Sequence, residues 1–117
     1  MPKVKRCSNP HDESWIAFRF HCPGCDEDHA VRTAGDRPGP KWSFNGDIDA
    51  PTFEPSIRVT GVQWPTDEEE ALIERGETVE TRPLCCHSFV RGGRIQFLSD
   101  CTHGLAGRVV DLPEIET

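Results

Sequence analysis

The sequence has no long hydrophobic run. It contains 117 residues, and none of its apolar stretches approaches the roughly 20 consecutive residues that a membrane-spanning helix needs. The basic start, residues 1–6, is not followed by the apolar segment of a secretion signal. We therefore expect neither a membrane protein nor a secreted one. The length also predicts a single domain rather than two.

A surplus of positive charge is absent as well. The formal net charge is −7, and residues 65–80 contain seven acids and a single arginine. The rest of the chain is nearly neutral. Strong nucleic-acid binding needs Lys and Arg to displace counterions from phosphates, so we do not expect it. We interpret the acidic segment as a solvated helix, with an acidic docking surface for a basic partner as the alternative.

Glycine and proline, in contrast, are frequent. Ten of each favour turns and short elements, which excludes a helical bundle. Alternating apolar residues predict a strand over residues 14–20, and Gly92-Gly93 between two apolar segments predicts a hairpin. Thr66 and Glu69 form a capping-box pattern that predicts one short helix over residues 67–75. The expected fold is mostly β, with small antiparallel sheets and hairpins.

Cysteine and histidine are abundant for so short a chain, with six and five residues. The missing secretion signal and the clustering of both residue types favour a metal site over disulfides. Cys22 and Cys25, separated by Pro-Gly at a strand end, are typical of a zinc knuckle. A redox pair would need a helix after the first cysteine, whereas three acids and a loop follow here.

The predicted hairpin can supply further ligands. A two-residue loop pairs Arg91 with Arg94, and continuing this register pairs Leu84 with Cys101 and puts Cys86 on the same face as Cys101. The leading site is therefore Cys22, Cys25, Cys86 and Cys101. A longer loop would let His87 replace Cys86, or His103 replace Cys101, and His29 is a further possible ligand. The candidate ligands for Zn2+ are Cys22, Cys25, Cys86, Cys101, His103, His29 and His87.

These patterns predict the domain organisation. We expect a flexible N-terminal arm over residues 1–13 and one zinc-stabilised, β-rich domain over residues 14–117. The domain would contain an acidic helical insertion at about residues 65–80. No repeat or low-complexity tract interrupts this single domain.

Four sequence blocks form a recognisable set. They are F-H-C-P-G-C at 20–25 with His29, W-S-F-N-G-D at 42–47 with P-T-F-E-P-S-I at 51–57, the segment 86–103, and L-A-G at 105–107. They resemble an uncharacterised family of small zinc-binding phage and prophage proteins, often labelled "ammonia monooxygenase" or "anaerobic dehydrogenase". The resemblance implies a phage-encoded protein in the host cytoplasm. Neither label suits the residues, since a membrane span and a glycine-rich dinucleotide motif are both missing.

Three functions follow from these observations. The first is a phage accessory protein that binds a host or phage protein, with Trp42, Phe44 and Trp64 as contact residues unless they belong to the core. The second is a small zinc-dependent hydrolase, in which His29, His103 or Asp100 completes an open metal site. The third is a nucleic-acid-binding zinc knuckle. We expect a protein partner, and a binding protein rather than an enzyme; the sequence leaves the oligomeric state open.

Overall fold

A computed structural model of the protein describes residues 2–115 and contains two antiparallel sheets. The first sheet has the strand order β1 (Lys5–Asn9), β2 (Asp12–Cys22) and β3 (Glu27–Ala34). The second has the order β4 (Ser43–Phe44), β5 (Phe53–Val62), β6 (Pro83–Arg91), β7 (Arg94–Phe97) and β8 (Val109–Asp111). The helix α1 (Asp67–Glu74) connects β5 to β6. The prediction of a mostly β single domain with one short helix is confirmed.

The beginning of the chain belongs to the folded structure. Residues 5–9, which fall within the predicted flexible arm, form β1 and pair with β2, for example Cys7 with Ala17. Val4 is 1% exposed and lies in the core. The strand is short and mostly polar, so it carries no period-two apolar pattern. Pairing with the long strand β2 stabilises it instead.

The hydrophobic core lies between the two sheets. Phe20 of β2 and Phe53 of β5 are both fully buried, and their ring centroids are 6.5 Å apart. Burial of one such side chain contributes about 2 to 3 kcal/mol to folding. Cys22 and Cys86 are buried in the same cluster, and Trp42 and Phe44 pack against it. Two of the three aromatic residues considered for partner contact are thus mainly core residues, whereas Trp64 is 75% exposed.

The helix forms as its sequence predicts. The Thr66 hydroxyl accepts the Glu69 N–H at 3.2 Å, and the Glu69 carboxylate accepts the Thr66 N–H at 3.0 Å. The helix ends at Glu74, before Gly76, whose φ of 83° favours glycine. No residue of the helix is buried, which agrees with a solvated element. No helix within residues 2–115 combines the length and apolar character that a membrane crossing needs.

Strand β5 is irregular close to its start. The two prolines, Pro51 and Pro55, predict a short edge segment separate from a strand beginning at Ser56, but one strand covers both regions. Between Phe53 and Ile57 this strand advances four residues while β6 advances two, from Val90 to Ser88. The extra residues form a bulge, and a bulge redirects side chains. The Glu54–Pro55 peptide bond within it is cis.

The hairpin of β6 and β7 has the predicted register over part of its length. Arg91 pairs with Arg94, and Ser88 pairs with Phe97. The predicted continuation to a Leu84–Cys101 pair is wrong, because β7 ends at Phe97 and the chain turns. In this turn the Cys101 N–H donates to the Leu98 carbonyl at 3.3 Å. The turn moves Cys101 away from the ladder and places it beside His87.

Candidate active site and metal centre

Three cysteines and one histidine converge between the sheets. The ligand atoms of Cys22, Cys25, His29 and Cys86 all lie within 4.8 Å of one another. Sγ of Cys22 is 3.8 Å from Sγ of Cys86. Two sulfurs bound to one tetrahedral zinc-type ion at about 2.3 Å are separated by about 3.8 Å. The spacing of these thiols therefore matches that of metal ligands.

His29 is a buried member of this group with one unpartnered ring nitrogen. The residue is 8% exposed, and its Nε2 atom has no hydrogen-bond partner among the described residues. A buried ring nitrogen without a partner destabilises a fold by about 1 to 3 kcal/mol. A bound metal ion would remove this cost. Together with the thiol spacing, this shows that the four residues could hold a metal ion.

The electrostatics of the three thiols favour a bound cation. A hydrogen bond from Cys86 lowers the pKa of Cys22 to about 4, and the same contact raises the pKa of Cys86. Burial, followed by the negative charge of Cys22, raises the pKa of Cys25 to about 11. Without a cation the group thus holds one thiolate rather than three. A divalent ion would stabilise the remaining thiolates, which is the charge state that ligands require.

A second group adjoins the first. Ligand atoms of Cys86, Cys101 and His103 also lie within 4.8 Å of one another. The Leu105 N–H donates to Nδ1 of His103 at 3.2 Å, so the neutral ring carries its proton on Nε2. That atom is 3.5 Å from Sγ of Cys86. In this tautomer the Nε2–H of His103 faces the Cys86 sulfur as a hydrogen-bond donor and offers no lone pair to a metal.

Gly24, within the C-P-G-C sequence after β2, allows the His103 ring to lie against this turn. A Cβ atom at Gly24 would overlap the His103 ring, so glycine at this position leaves room for the ring where it lies. This close approach links the turn after β7 to the turn after β2. Six of the seven predicted ligands therefore gather at one place, and His87 is the exception.

His87 lies on the opposite face of β6, in a different cluster. Its Nε2 is 3.0 Å from the Ser56 hydroxyl, and its Nδ1 is 3.2 Å from Oδ2 of Asp100. The three side chains form a continuous chain from a hydroxyl through an imidazole to a carboxylate. The His87 side chain is 24% exposed and that of Asp100 is 51% exposed. The group is therefore accessible to a molecule in solution.

Local structure positions the hydroxyl. Ser56 lies in the β5 bulge, which leaves Phe53 and Ile57 in the core and directs Ser56 toward His87. The Trp42 indole N–H donates to the Ser56 carbonyl at 3.1 Å. The backbone N–H of Trp42 in turn donates to the carbonyl of Arg32 in β3 at 2.8 Å. Trp42 thus connects the backbone of Ser56 in the second sheet to β3 of the first sheet.

The imidazole is positioned through its own backbone. The His87 N–H donates to Sγ of Cys101 at 3.3 Å, and the Cys101 thiol donates to the His87 carbonyl at 3.2 Å. The Leu98 N–H donates to the same carbonyl at 2.9 Å. Asp100 precedes Cys101, so one turn fixes both the backbone of His87 and its carboxylate partner.

This geometry matches one class of site, the Ser-His-Asp catalytic triad. The carboxylate accepts the Nδ1 proton, which leaves Nε2 free to accept the proton of the serine hydroxyl. Such a serine can attack a carbonyl carbon, so the arrangement is suited to acyl transfer. The class is recognised by geometry and roles rather than by sequence order, and it occurs on unrelated folds.

The chain also matches a family model whose description names a serine protease. The model of the family described as "Bacterial ubiquitination-like system serine protease (BubE)" matches residues 2–98, and the chain belongs to this family. The matched region includes Ser56 and His87, and Asp100 follows it by two residues. No curated protein and no solved structure matches the chain.

The sequence pattern does not identify the serine. It predicts only a strand at Ser56, a possible metal ligand at His87 and a possible member of an open metal site at Asp100. The signal present is a serine next to a proline-disrupted strand start, with a histidine on a later strand. Neither feature is specific without knowledge that β5 and β6 are neighbours, with Arg58 opposite His87.

Proposed function

We propose that the protein is a serine peptidase of a bacterial ubiquitination-like system, with Ser56 as nucleophile, His87 as general base and Asp100 as its orienting carboxylate. The observation that carries the proposal is the unbroken Ser56–His87–Asp100 hydrogen-bonded chain on a solvent-accessible face. Membership of the family supports the substrate class, a protein of such a system. The bond cleaved would be an amide of that protein.

The reaction follows from the geometry. Ser56 Oγ attacks the carbonyl carbon while its proton passes to Nε2 of His87, and Asp100 stabilises the resulting imidazolium. His87 then gives this proton to the leaving amine, so the C–N bond breaks and an acyl-serine remains. Water, deprotonated by His87, attacks the acyl group and releases a carboxylate. The serine recovers its proton, which completes the balance.

We further propose that the metal of the cysteine group is zinc, held by Cys22, Cys25, His29 and Cys86. Three thiolates and one imidazole form a ligand set typical of structural zinc sites. Zinc bound there would supply folding free energy and would join the turn after β2 to β6. We expect His29→Ala to weaken metal binding. His103→Ala, which removes a hydrogen-bond donor instead of a ligand, serves as its control.

The other predictions from the sequence remain predictions. These are a phage origin, the host cytoplasm as compartment, and an accessory role based on binding alone. A protein partner is retained here as the substrate. Trp64, exposed and adjacent to the knuckle, is a contact residue for it, with its indole N–H directed to Glu27. The thiolate-rich, buried ligand set does not favour a zinc-dependent hydrolase, and the net charge of −7 does not favour nucleic acid.

Covalent labelling tests the proposed function. A fluorophosphonate probe, which phosphonylates activated serines, should label the zinc-loaded protein at Ser56, as located by peptide mapping. Ser56→Ala and His87→Ala should abolish labelling, whereas Ser43→Ala, at a serine on the neighbouring strand, should not alter it. Absence of labelling in the folded wild type, or equal labelling of Ser56→Ala, would overturn the proposal.

A further inference from the structure

Arg58 lies beside the triad on the outer face of the second sheet. It is two residues after Ser56 on β5, and its Cα is paired directly with that of His87 on β6. Directly opposed residues of an antiparallel pair have Cβ atoms about 4.5 to 5.5 Å apart and project from the same face. The Arg58 guanidinium therefore extends from the face on which the carbonyl of a substrate must meet Ser56.

Arg58 differs from the other arginines of this sheet in having no partner. It is exposed, and within residues 2–115 it makes no ion pair, hydrogen bond or ring contact. Arg94, in comparison, is 3.1 Å from Asp111, and the Arg91 guanidinium lies 4.2 Å above the Phe89 ring. The donors of Arg58 are thus available for a molecule that binds at the triad.

The charge distribution makes this arginine distinctive. The protein has a net charge of −7, and seven of its 20 acids lie within residues 65–80. The one acid of the triad, Asp100, is already engaged with His87. A guanidinium presents paired N–H donors that match the two oxygens of a carboxylate. An unpaired guanidinium at this position can therefore bind a carboxylate.

We propose that Arg58 determines specificity by binding a carboxylate of the substrate within about two residues of the cleaved bond. This inference rests on the proposed function. The carboxylate comes either from an Asp or Glu side chain or from the C-terminus of the substrate. The chemistry of recognition is the same for both sources, and matched peptides distinguish them.

The experiment uses a mixed-sequence peptide library, with cleavage products identified by mass spectrometry. One cleaved sequence is then resynthesised with Glu, Gln or Lys at each of the two positions on either side of the bond. It is also made with a free and with an amidated C-terminus. The measured quantity is kcat/KM for the zinc-loaded wild type and for Arg58→Glu, Arg58→Gln and Arg91→Gln. Melting temperatures of the variants confirm that this exposed position does not affect folding.

The wild type should prefer one carboxylate-bearing peptide over its neutral counterpart by about tenfold, as expected for a charge-assisted contact. A preference confined to Glu peptides assigns the side chain, and one confined to the free acid assigns the terminus. Arg58→Glu should reverse the preference toward Lys or the amide, and Arg58→Gln should remove it. Arg91→Gln should retain the wild-type preference.

Two results with the variants would overturn the inference alone: equal preferences in the wild type and Arg58→Glu, or the same loss in Arg91→Gln, which would indicate a general effect of charge. Absence of cleavage of any library peptide by the wild type would contradict the proposed peptidase function as well. Cleavage without carboxylate preference would leave the peptidase function intact and refute the role of Arg58.

Discussion

The two faces of strand β6 differ in environment, although the two residues compared, Cys86 and His87, are adjacent in the chain. Cys86, on the inner face, is 1% exposed and belongs to the thiol group between the sheets. His87, on the outer face, contacts Ser56 and Asp100 at the solvent boundary. Side chains alternate along a strand, so adjacent residues serve opposite faces. A buried candidate metal ligand and an accessible imidazole are thus placed on opposite faces of one strand.

The turn after β7 repeats this division. Asp100 belongs to the Ser56–His87–Asp100 group. The next residue, Cys101, is hydrogen-bonded to the backbone of His87 and lies near Cys86. The inner groups therefore fix the backbone from which the outer groups project. From the difference between the faces we propose that the inner cluster contributes rigidity and the outer cluster contributes chemistry. Mutations on the two faces should separate these roles.

The largest effect is expected from the inner face. Cys22→Ser should lose the metal and unfold the domain, because binding of a structural zinc contributes on the order of 10 kcal/mol, comparable with the stability of a whole domain. Circular dichroism on heating and metal analysis measure both losses. Cys7→Ser, at the cysteine of β1 outside both metal groups, is the matched control and should retain metal. A Cys22→Ser protein that melts normally without metal would contradict the structural role.

A smaller effect, confined to activity, is expected from Asp100→Asn on the outer face. The amide cannot hold the imidazole in the required tautomer, so kcat should fall by about 10³- to 10⁴-fold. The melting temperature should change little, since an exposed pair of this kind contributes about 0 to 1 kcal/mol. Asp111→Asn, which removes a surface ion pair with Arg94, should leave kcat unchanged. A large loss of stability in Asp100→Asn would contradict the proposal that the outer face of β6 contributes to activity and not to stability.

The smallest effect is expected from Cys101→Ser, which lies between the two clusters. If Cys101 acts by holding His87, the shorter hydroxyl should weaken two contacts and lower kcat about tenfold, a cost of about 1.4 kcal/mol. Metal content measured by mass spectrometry should stay at the wild-type level. Loss of the ion in this variant would instead assign Cys101 to the inner face as a ligand.

The fold is predictable where local chemistry determines it. The capping box of Thr66 and Glu69 specifies the helix start, and the Gly92-Gly93 loop specifies the hairpin register from Arg91 to Ser88. Strand β1 is not predictable in this way, because it depends on pairing with β2. The turn at Cys101 is not predictable either, because no local sequence signal marks the end of the β6–β7 ladder. The predicted register extends a ladder that in the structure ends at Phe97.

The two sites differ in how far the sequence discloses them. Cysteine is rare and its C-x-x-C spacing is distinctive, so the sequence alone indicates Cys22, Cys25 and Cys86 as ligands. Serine and aspartate are common surface residues, and nothing in their spacing identifies Ser56 and Asp100. Their relation to His87 exists only after β5 and β6 pair and the β5 bulge redirects the serine. A triad is a property of geometry, which spacing along the chain does not specify.

The most direct test of the division between the two faces compares His87→Ala with Cys86→Ser, two changes at adjacent residues. Metal content, melting temperature and fluorophosphonate labelling of Ser56 are measured on both proteins. We predict that His87→Ala keeps its metal and its melting temperature but is not labelled, whereas Cys86→Ser loses the metal and the folded state. Retained labelling in His87→Ala, or loss of its metal, would contradict the assignment of chemistry to the outer face and rigidity to the inner one.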